Sequence, residues 1–196
     1  MSSPRRAELI EAAYKYVLAN GLADVSLRPI AEAIGSSTGV LRFLFGSRDG
    51  LVAALLERAR ADELAMLGQL PPDGDLQTVA SGVWGWLADP AHDAVLRLWT
   101  ESYATSLRSA AGPWAGFADS TVRDWLAVLA RAQPASVRNT AAGRAQRTAV
   151  LAILRGGMLD VLATRDATRD QSRVTRAVIL SLAGVCSARQ TRSDSV

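Results

Sequence analysis

The sequence predicts an all-α protein, on three observations. Apolar residues recur at three- and four-residue spacing along nearly all of the 196 residues, the period of one helix face. No segment alternates apolar and polar residues for long enough to make a strand. Glycine, proline, asparagine and serine fall between the periodic stretches, where they cap and stop helices. About nine helices are expected from this punctuation: three in a small domain, residues 1–47, and the rest in a larger domain, residues 48–196.

The first helix carries Leu9, Ile10, Ala13, Tyr14, Val17 and Leu18, and Asn20-Gly21 supplies the left-handed positions that stop it. Ser26 is placed as the N-cap of a short second helix carrying Ile30, Ala31 and Ile34; Pro29 is tolerated in its first turn and Gly35 ends it. Ser36-Ser37 caps a third helix, Thr38 to about Leu44, which Gly46 breaks. Ser47 caps the fourth, with Asp49 in its first turn, where a carboxylate favours the helix dipole. This helix runs over 48–70, long enough to connect two domains. Pro71-Pro72-Asp73-Gly74-Asp75 has the composition of a linker. Helices are expected beyond it at about 75–88, 91–107, 113–132, 140–163 and 171–187. Loops fall at Ser109–Pro113, Pro134–Ser136 and Thr164–Asp170, and the polar tail from Gln190 is expected to fray.

Hydrophobic residues make up 49% and charged residues 21%, enough apolar side chains to bury a core. Of the 22 basic residues only Lys15 is lysine. Arginine suits bidentate contact with phosphate or guanine better than lysine does, and genomic base composition produces the same bias. The net charge of the whole chain is +3. Residues 1–60 hold Arg5, Arg6, Lys15, Arg28, Arg42, Arg48, Arg58 and Arg60 against Glu8, Glu11, Asp24, Glu32, Asp49 and Glu57, a slightly basic balance.

The single cysteine, Cys186, excludes an internal disulfide and a cysteine-built zinc site, and fits a reducing compartment. No apolar run approaches the roughly 18 residues that span a bilayer, and the N-terminus is charged where a signal peptide is apolar; the cytoplasm is the expected location. His92, the single histidine, precedes Asp93 and reads as a solvated or capping side chain. No metal-ligand spacing, phosphate loop, dinucleotide fingerprint or nucleophile elbow is present, so neither enzymatic activity nor a cofactor is expected.

Two short helices joined by a tight turn, apolar on their inner faces, present the second helix to the major groove of DNA. Ala31, Ile34, Val40 and Leu41 are expected to hold the pair together, and Gly35-Ser36-Ser37 lets the chain turn without bulky side chains. The outer face of the third helix then carries Thr38, Gly39, Arg42 and Phe43.

Gly21, Ser26, Ile30-Ala31, Gly35, Gly39, Leu41, Phe45, Ser47, Arg48, Asp49 and Leu51 together give the stretch Arg6–Arg58 its character. That stretch resembles the DNA-binding domain of the TetR family, whose pattern has these residue types at these positions. Arg42 stands where the family usually has tyrosine, and Leu44 where histidine or an aromatic often precedes the phenylalanine. Arg42 can hold a phosphate or read a guanine edge, so DNA binding survives the departure while the target inferred from relatives does not. The resemblance implies that Ser37, Thr38, Gly39, Arg42 and Phe43 face DNA, flanked by Arg28 and Arg48. It implies that Ser26 caps the second helix while touching a phosphate, and that Arg5 and Arg6 reach the backbone from a mobile arm. A solvated surface charge is the alternative for each arginine.

All five tryptophans, Trp84, Trp86, Trp99, Trp114 and Trp125, follow the linker, with Tyr103 and Phe117 among them. Aromatic walls with a few polar groups line small-molecule pockets, and aromatics equally make ordinary core. The resemblance implies an effector cavity in this region, for which Trp84, Trp99, Tyr103, Trp114, Phe117, Trp125 and Met158 are the candidates. The last two helices are apolar on more than one face, so each needs burial against a second partner. In TetR-like proteins that partner is the same pair of helices from another subunit, with Leu151, Leu154, Leu159, Val174, Val178, Ser181, Leu182 and Val185 as the candidate interface here. Ala177, Ala183 and Gly184 would allow close approach. Gly156-Gly157 marks either a kink or tight contact, or a helix that tolerates two glycines at about 1 kcal/mol each.

The implied whole is a homodimeric regulator on a partly palindromic double-stranded DNA operator, commonly a repressor released by a small-molecule effector. A TetR-like fold acting through protein contacts, without sequence-specific DNA binding, is the alternative that Arg42 and Leu44 leave open.

Overall fold

A computed structural model describes residues 4–22, 25–71, 74–164 and 168–187. Asp24, Pro72 and Asp73, residues 165–167 of the expected last loop and the tail from Gln190 lie outside the described residues. Among those described there are ten α-helices, one more than the nine expected, and no strand. They are α1 (Pro4–Asn20), α2 (Leu27–Ala33), α3 (Thr38–Phe45), α4 (Arg48–Gly68), α5 (Leu76–Ala88), α6 (Asp93–Arg108), α7 (Phe117–Arg131), α8 (Ala135–Arg138), α9 (Ala141–Ala163) and α10 (Thr168–Ser187). No helix of the described residues is long and apolar enough to cross a membrane.

Three boundaries differ from the sequence reading. The expected loop at Pro134–Ser136 opens the short helix α8, because the Pro134 carbonyl accepts the amides of both Val137 and Arg138 at 2.9 Å. The start of α7 lies at Phe117 rather than 113: its first-turn amide at Ala118 donates to the Ser106 hydroxyl of α6 at 3.1 Å, a cap supplied from another helix. The polar residues from Thr168, read as loop, form the first turn of α10.

Contacts group the chain into two compact units, Met1–Ala65 with Asp93–Thr121, and Met66–His92 with Val122–Val196. This grouping runs along different lines from 1–47 and 48–196, because α4 up to Ala65 and α6 share a core with α1. That core joins Tyr14 and Val17 of α1, Ile30 and Ala31 of α2, Leu41 and Phe45 of α3, Leu51 and Leu55 of α4 and Leu98 of α6, with Trp114 and Phe117. Each large side chain so buried stabilises the fold by about 1.5–3 kcal/mol against conformational entropy.

Polar ties supplement it. Arg58 on α4 donates to Glu11 of α1 and to Asp62, and its guanidinium sits 4.8 Å from the centre of the Tyr14 ring. Burial, and then the nearby Asp62 carboxylate, push the Tyr14 phenol well above its ordinary pKa, so it stays neutral. From α6, Glu101 accepts the Leu22 amide just beyond the end of α1.

In the second unit α5, α9 and α10 pack on one another. Gly157 of α9 is required there: a Cβ would lie 2.4 Å from Val178 Cγ2 and 2.8 Å from Trp84 Cζ3, whereas Gly156 meets nothing within 4 Å. Of the two readings of this glycine pair, tight contact holds at Gly157. Gln133, buried at the α8–α9 corner, donates to the Gly143 carbonyl at 2.9 Å and to Gln146 at 3.0 Å. His92 is half-buried and caps the last turn of α5. The 3-10 turn Pro90–His92 folds its ring onto Trp86 with centroids 4.1 Å apart, and Nδ1 donates to the Trp86 carbonyl at 2.9 Å.

The packing also corrects the expected interface. Leu151, Leu154, Val178 and Leu182 are buried in this chain's own core, which leaves them no free face to offer a partner. The helical phase turns other residues outward: Leu159 is 47% exposed, Ile179 52% and Leu180 66%. Ser181 is exposed, and Val174 and Val185 are half-buried.

Candidate nucleic-acid interface

The helix pair is built from its turn. Gly35 has φ +63°, a left-handed backbone that a side chain disfavours, and this reversal lets the Ser36 amide reach back to the Ala31 carbonyl at 2.8 Å. Ser37 then caps α3, its hydroxyl accepting the Val40 amide at 3.2 Å. Ile30 and Ala31 of α2 are buried in one core with Leu41 and Phe45 of α3, with Ile34 packed beside them. Val40 does not belong to this inner set. It is 39% exposed, because the spacing of Leu41 and Phe45 defines the inner face and Val40 lies off it.

At about 100° per residue, Gly39 and Phe43 fall opposite Leu41, with Arg42 on one flank and Val40 on the other. Phe43 is 88% exposed, the most exposed of the large apolar side chains among the described residues. Arg42 is exposed and has no ion-pair partner among the described residues. Gly39 is exposed, and a Cβ there would meet only the Ser37 hydroxyl, at 3.7 Å. Thr38 is half-buried and Ser37 exposed. The outer face of α3 therefore offers one cation, one aromatic ring and bare backbone between them.

The flanking candidates are held differently. Ser26 stands at the N-cap of α2, with φ −121° and ψ 158°, but its side chain makes no capping hydrogen bond. The expected cap is thus absent, and the hydroxyl is exposed. Arg28 is exposed and ion-paired with Glu32 one turn on, at 2.9 Å. An exposed pair of this kind is worth about 0–1 kcal/mol, so an anion of higher charge can replace Glu32. Arg48 Nε donates to the Val25 carbonyl at 2.6 Å, and Nη1 lies 3.5 Å from Asp49. Arg48 straps the start of α4 to the segment before α2.

Arg5 and Arg6 are in the first turn of α1 and not in a mobile arm. Arg5 pairs with Glu8 at 2.7 Å, and the Arg6 guanidinium lies 5.0 Å from the centre of the Phe45 ring. The Arg6–Phe45 contact had no sequence signal beyond the two residue types, which are far apart in the chain. The strap from Arg48 to Val25 was equally hidden.

The seven candidates for an effector cavity divide between the units. Trp99, Tyr103, Trp114 and Phe117 belong to the first, where Trp114 and Phe117 are core residues and the Trp99 and Tyr103 rings lie 5.2 Å apart. Trp84, Trp125 and Met158 are buried in the second. A cleft of about 360 Å³ in the second unit is lined by Leu67, Gly68, Leu70, Pro71, Val79, Val128, Arg131 and Ala132, none of them among the seven.

No protein-family model matches the chain. The HTH-type transcriptional regulator BetI of Paraburkholderia phytofirmans is 36% identical over 62 residues, which cover 32% of this chain and 32% of that protein. The match thus spans about a third of that relative's length. A protein of Rhodococcus sp. assigned to the TetR family of transcriptional regulators superposes with a TM-score of 0.71 at 18% identity, over 94% of this chain and all of that one. The chain has the TetR-like fold. The multidrug binding protein EbrR, solved with imidazole, shares the fold with a TM-score of 0.66 at 24% identity, over 92% of this chain and 91% of EbrR. These structures match the whole helical architecture, so the TetR-like fold extends well beyond the stretch Arg6–Arg58.

Proposed function

We propose that this protein is a sequence-specific DNA-binding transcriptional regulator of the TetR family. In this reading residues 1–47 contact DNA and residues 48–196 serve ligand binding and dimerisation, in the cytoplasm. The observation that carries it is the outer face of α3, where Arg42 and Phe43 project into solvent beside Gly39 on a helix whose inner face is fully packed. A cation and an apolar ring on a helix braced by a second helix suit contact with phosphates and base edges in a major groove. Ser37, Thr38, Ser26 and Arg28 flank that face; Arg48 acts by holding α4 against Val25 as well as by charge.

A homodimer through α9 and α10 fits the exposed Leu159, Ile179 and Leu180 with the small exposed residues Ala177, Ser181 and Gly184. Two copies related by a two-fold axis place two α3 helices in successive major grooves, on half-sites about 34–36 Å apart. A small-molecule effector of the kind suggested by the EbrR–imidazole complex would release the operator, making the protein a repressor. To switch the population from 1:99 to 99:1 it must favour one conformation by about 10⁴-fold.

The test is selection of bound duplexes from random and genomic pools at about 0.15 M salt, where non-specific phosphate contacts are already weakened. Enrichment of an inverted repeat with half-sites one helical turn or a multiple apart supports the reading. Weak, salt-sensitive binding without a motif, persisting after denaturation and refolding to remove any bound ligand, refutes it.

A further inference from the structure

We propose that Phe43 is a specificity-determining residue that reads the C5-methyl group of a thymine in each half-site. This inference rests on the proposed DNA-binding function and names what one side chain recognises.

Phe43 has no internal role. Its ring is 88% exposed, whereas its neighbours in sequence are accounted for: Leu41 and Phe45 are core, and Leu44 packs against that core. A large apolar ring held in water on a short helix is unfavourable unless it is covered in use, since burying such a side chain is worth about 1.5–3 kcal/mol. The bare backbone of Gly39, one turn before Phe43, lets the helix come close to whatever covers the ring, and nothing inside the protein requires glycine at that point. Val40, also exposed, extends the apolar strip on the far side from Arg42.

Of the groups that the major groove presents, the thymine methyl is the one that projects as an apolar knob; apart from the small C5–H of cytosine, the other edges offer hydrogen-bond donors and acceptors that a phenyl ring cannot satisfy. Arg42 on the opposite flank addresses the complementary chemistry, a phosphate or guanine edge. The face is thus divided, with polar readout on the Arg42 side and methyl readout on the Phe43 side. The half-site is expected to contain at least one thymine whose methyl group is essential.

The experiment uses the duplex selected by the native protein. Each thymine of the half-site is replaced by deoxyuridine, which removes the methyl group and leaves the hydrogen-bonding edges unchanged, and affinity is measured for the native protein and for Phe43→Ala. One position should weaken native binding roughly fourfold per half-site, the factor for one methyl-sized group, and about fifteenfold when both half-sites are changed. Phe43→Ala, whose circular dichroism spectrum and oligomeric state should match the native protein, should bind more weakly and lose this sensitivity at that position alone. Selection of a duplex with no deoxyuridine-sensitive position, or sensitivity that persists in Phe43→Ala, overturns the assignment while leaving DNA reading intact. Failure to select any duplex removes both.

Discussion

Glu101 on α6 accepts the amide of Leu22 with both carboxylate oxygens, at 3.1 and 3.0 Å, across 79 residues of sequence. The chain emerging from α1 is thereby anchored by a charge that α6 supplies, alongside apolar contacts from Leu98 of the same helix. A charged hydrogen bond of this kind, partly buried, is worth about 1.5–3 kcal/mol. Glu101→Ala should lower unfolding stability by about 2 kcal/mol, read as a shift in the urea midpoint at unchanged slope. Glu101→Gln keeps one acceptor oxygen and should lose less. Equal stability of all three proteins would remove the anchor.

Arg42 and Arg48 separate contact from support. Arg42→Ala should leave the urea midpoint and oligomeric state unchanged and weaken specific DNA binding at least about tenfold, within the range of one good base or phosphate contact. If Arg42 holds a phosphate, the slope of log affinity against log salt should also fall by about one. Arg48→Ala should lose about 1 kcal/mol of stability as well, because the Val25 carbonyl loses its donor at a site that is only half-buried. Equal stability losses in the two variants would contradict this division.

Gly156 and Gly157 should respond in opposite directions. A Cβ at Gly157 meets Val178 and Trp84 at distances that force the packing apart, so Gly157→Ala should destabilise by about 1–3 kcal/mol and alter tryptophan fluorescence. Gly156→Ala meets nothing and gains helix propensity, so it should stabilise by up to about 1 kcal/mol. Thermal unfolding of the pair decides it.

Asp75 caps α5 by accepting the Thr78 amide at 2.8 Å, and that hydrogen bond holds its carboxyl below the usual carboxylate pKa. A depressed folded-state pKa contributes stability that is present above the unfolded value, near 3.9, and is lost as pH falls through the lower folded value. Asp75→Ala should therefore cost about 1 kcal/mol at neutral pH, and the gap to the native protein should close at acid pH. A gap that stays constant down to about pH 2 would show that the carboxylate charge contributes nothing.

The sequence by itself determined nine of the ten α-helices among the described residues and most of their ends, because period and caps are local: Gly35 and the Ser37 cap are legible within a few residues of where they act. It also determined that α3 would carry Arg42 and Phe43 outward, once Leu41 and Phe45 set the inner face, and it carried the TetR resemblance. Tertiary structure decided what local pattern does not encode. Ser106 fixes where α7 begins, Glu101 and Arg48 anchor chain segments far from them in sequence, and Gly157 accommodates Trp84 and Val178. The apolar residues of α9 and α10 looked alike by periodicity, yet Leu154 and Leu182 face inward and Ile179 and Leu180 outward. Two helices with apolar residues on several faces do not specify which face the rest of the chain will cover, and only the packed arrangement makes that choice.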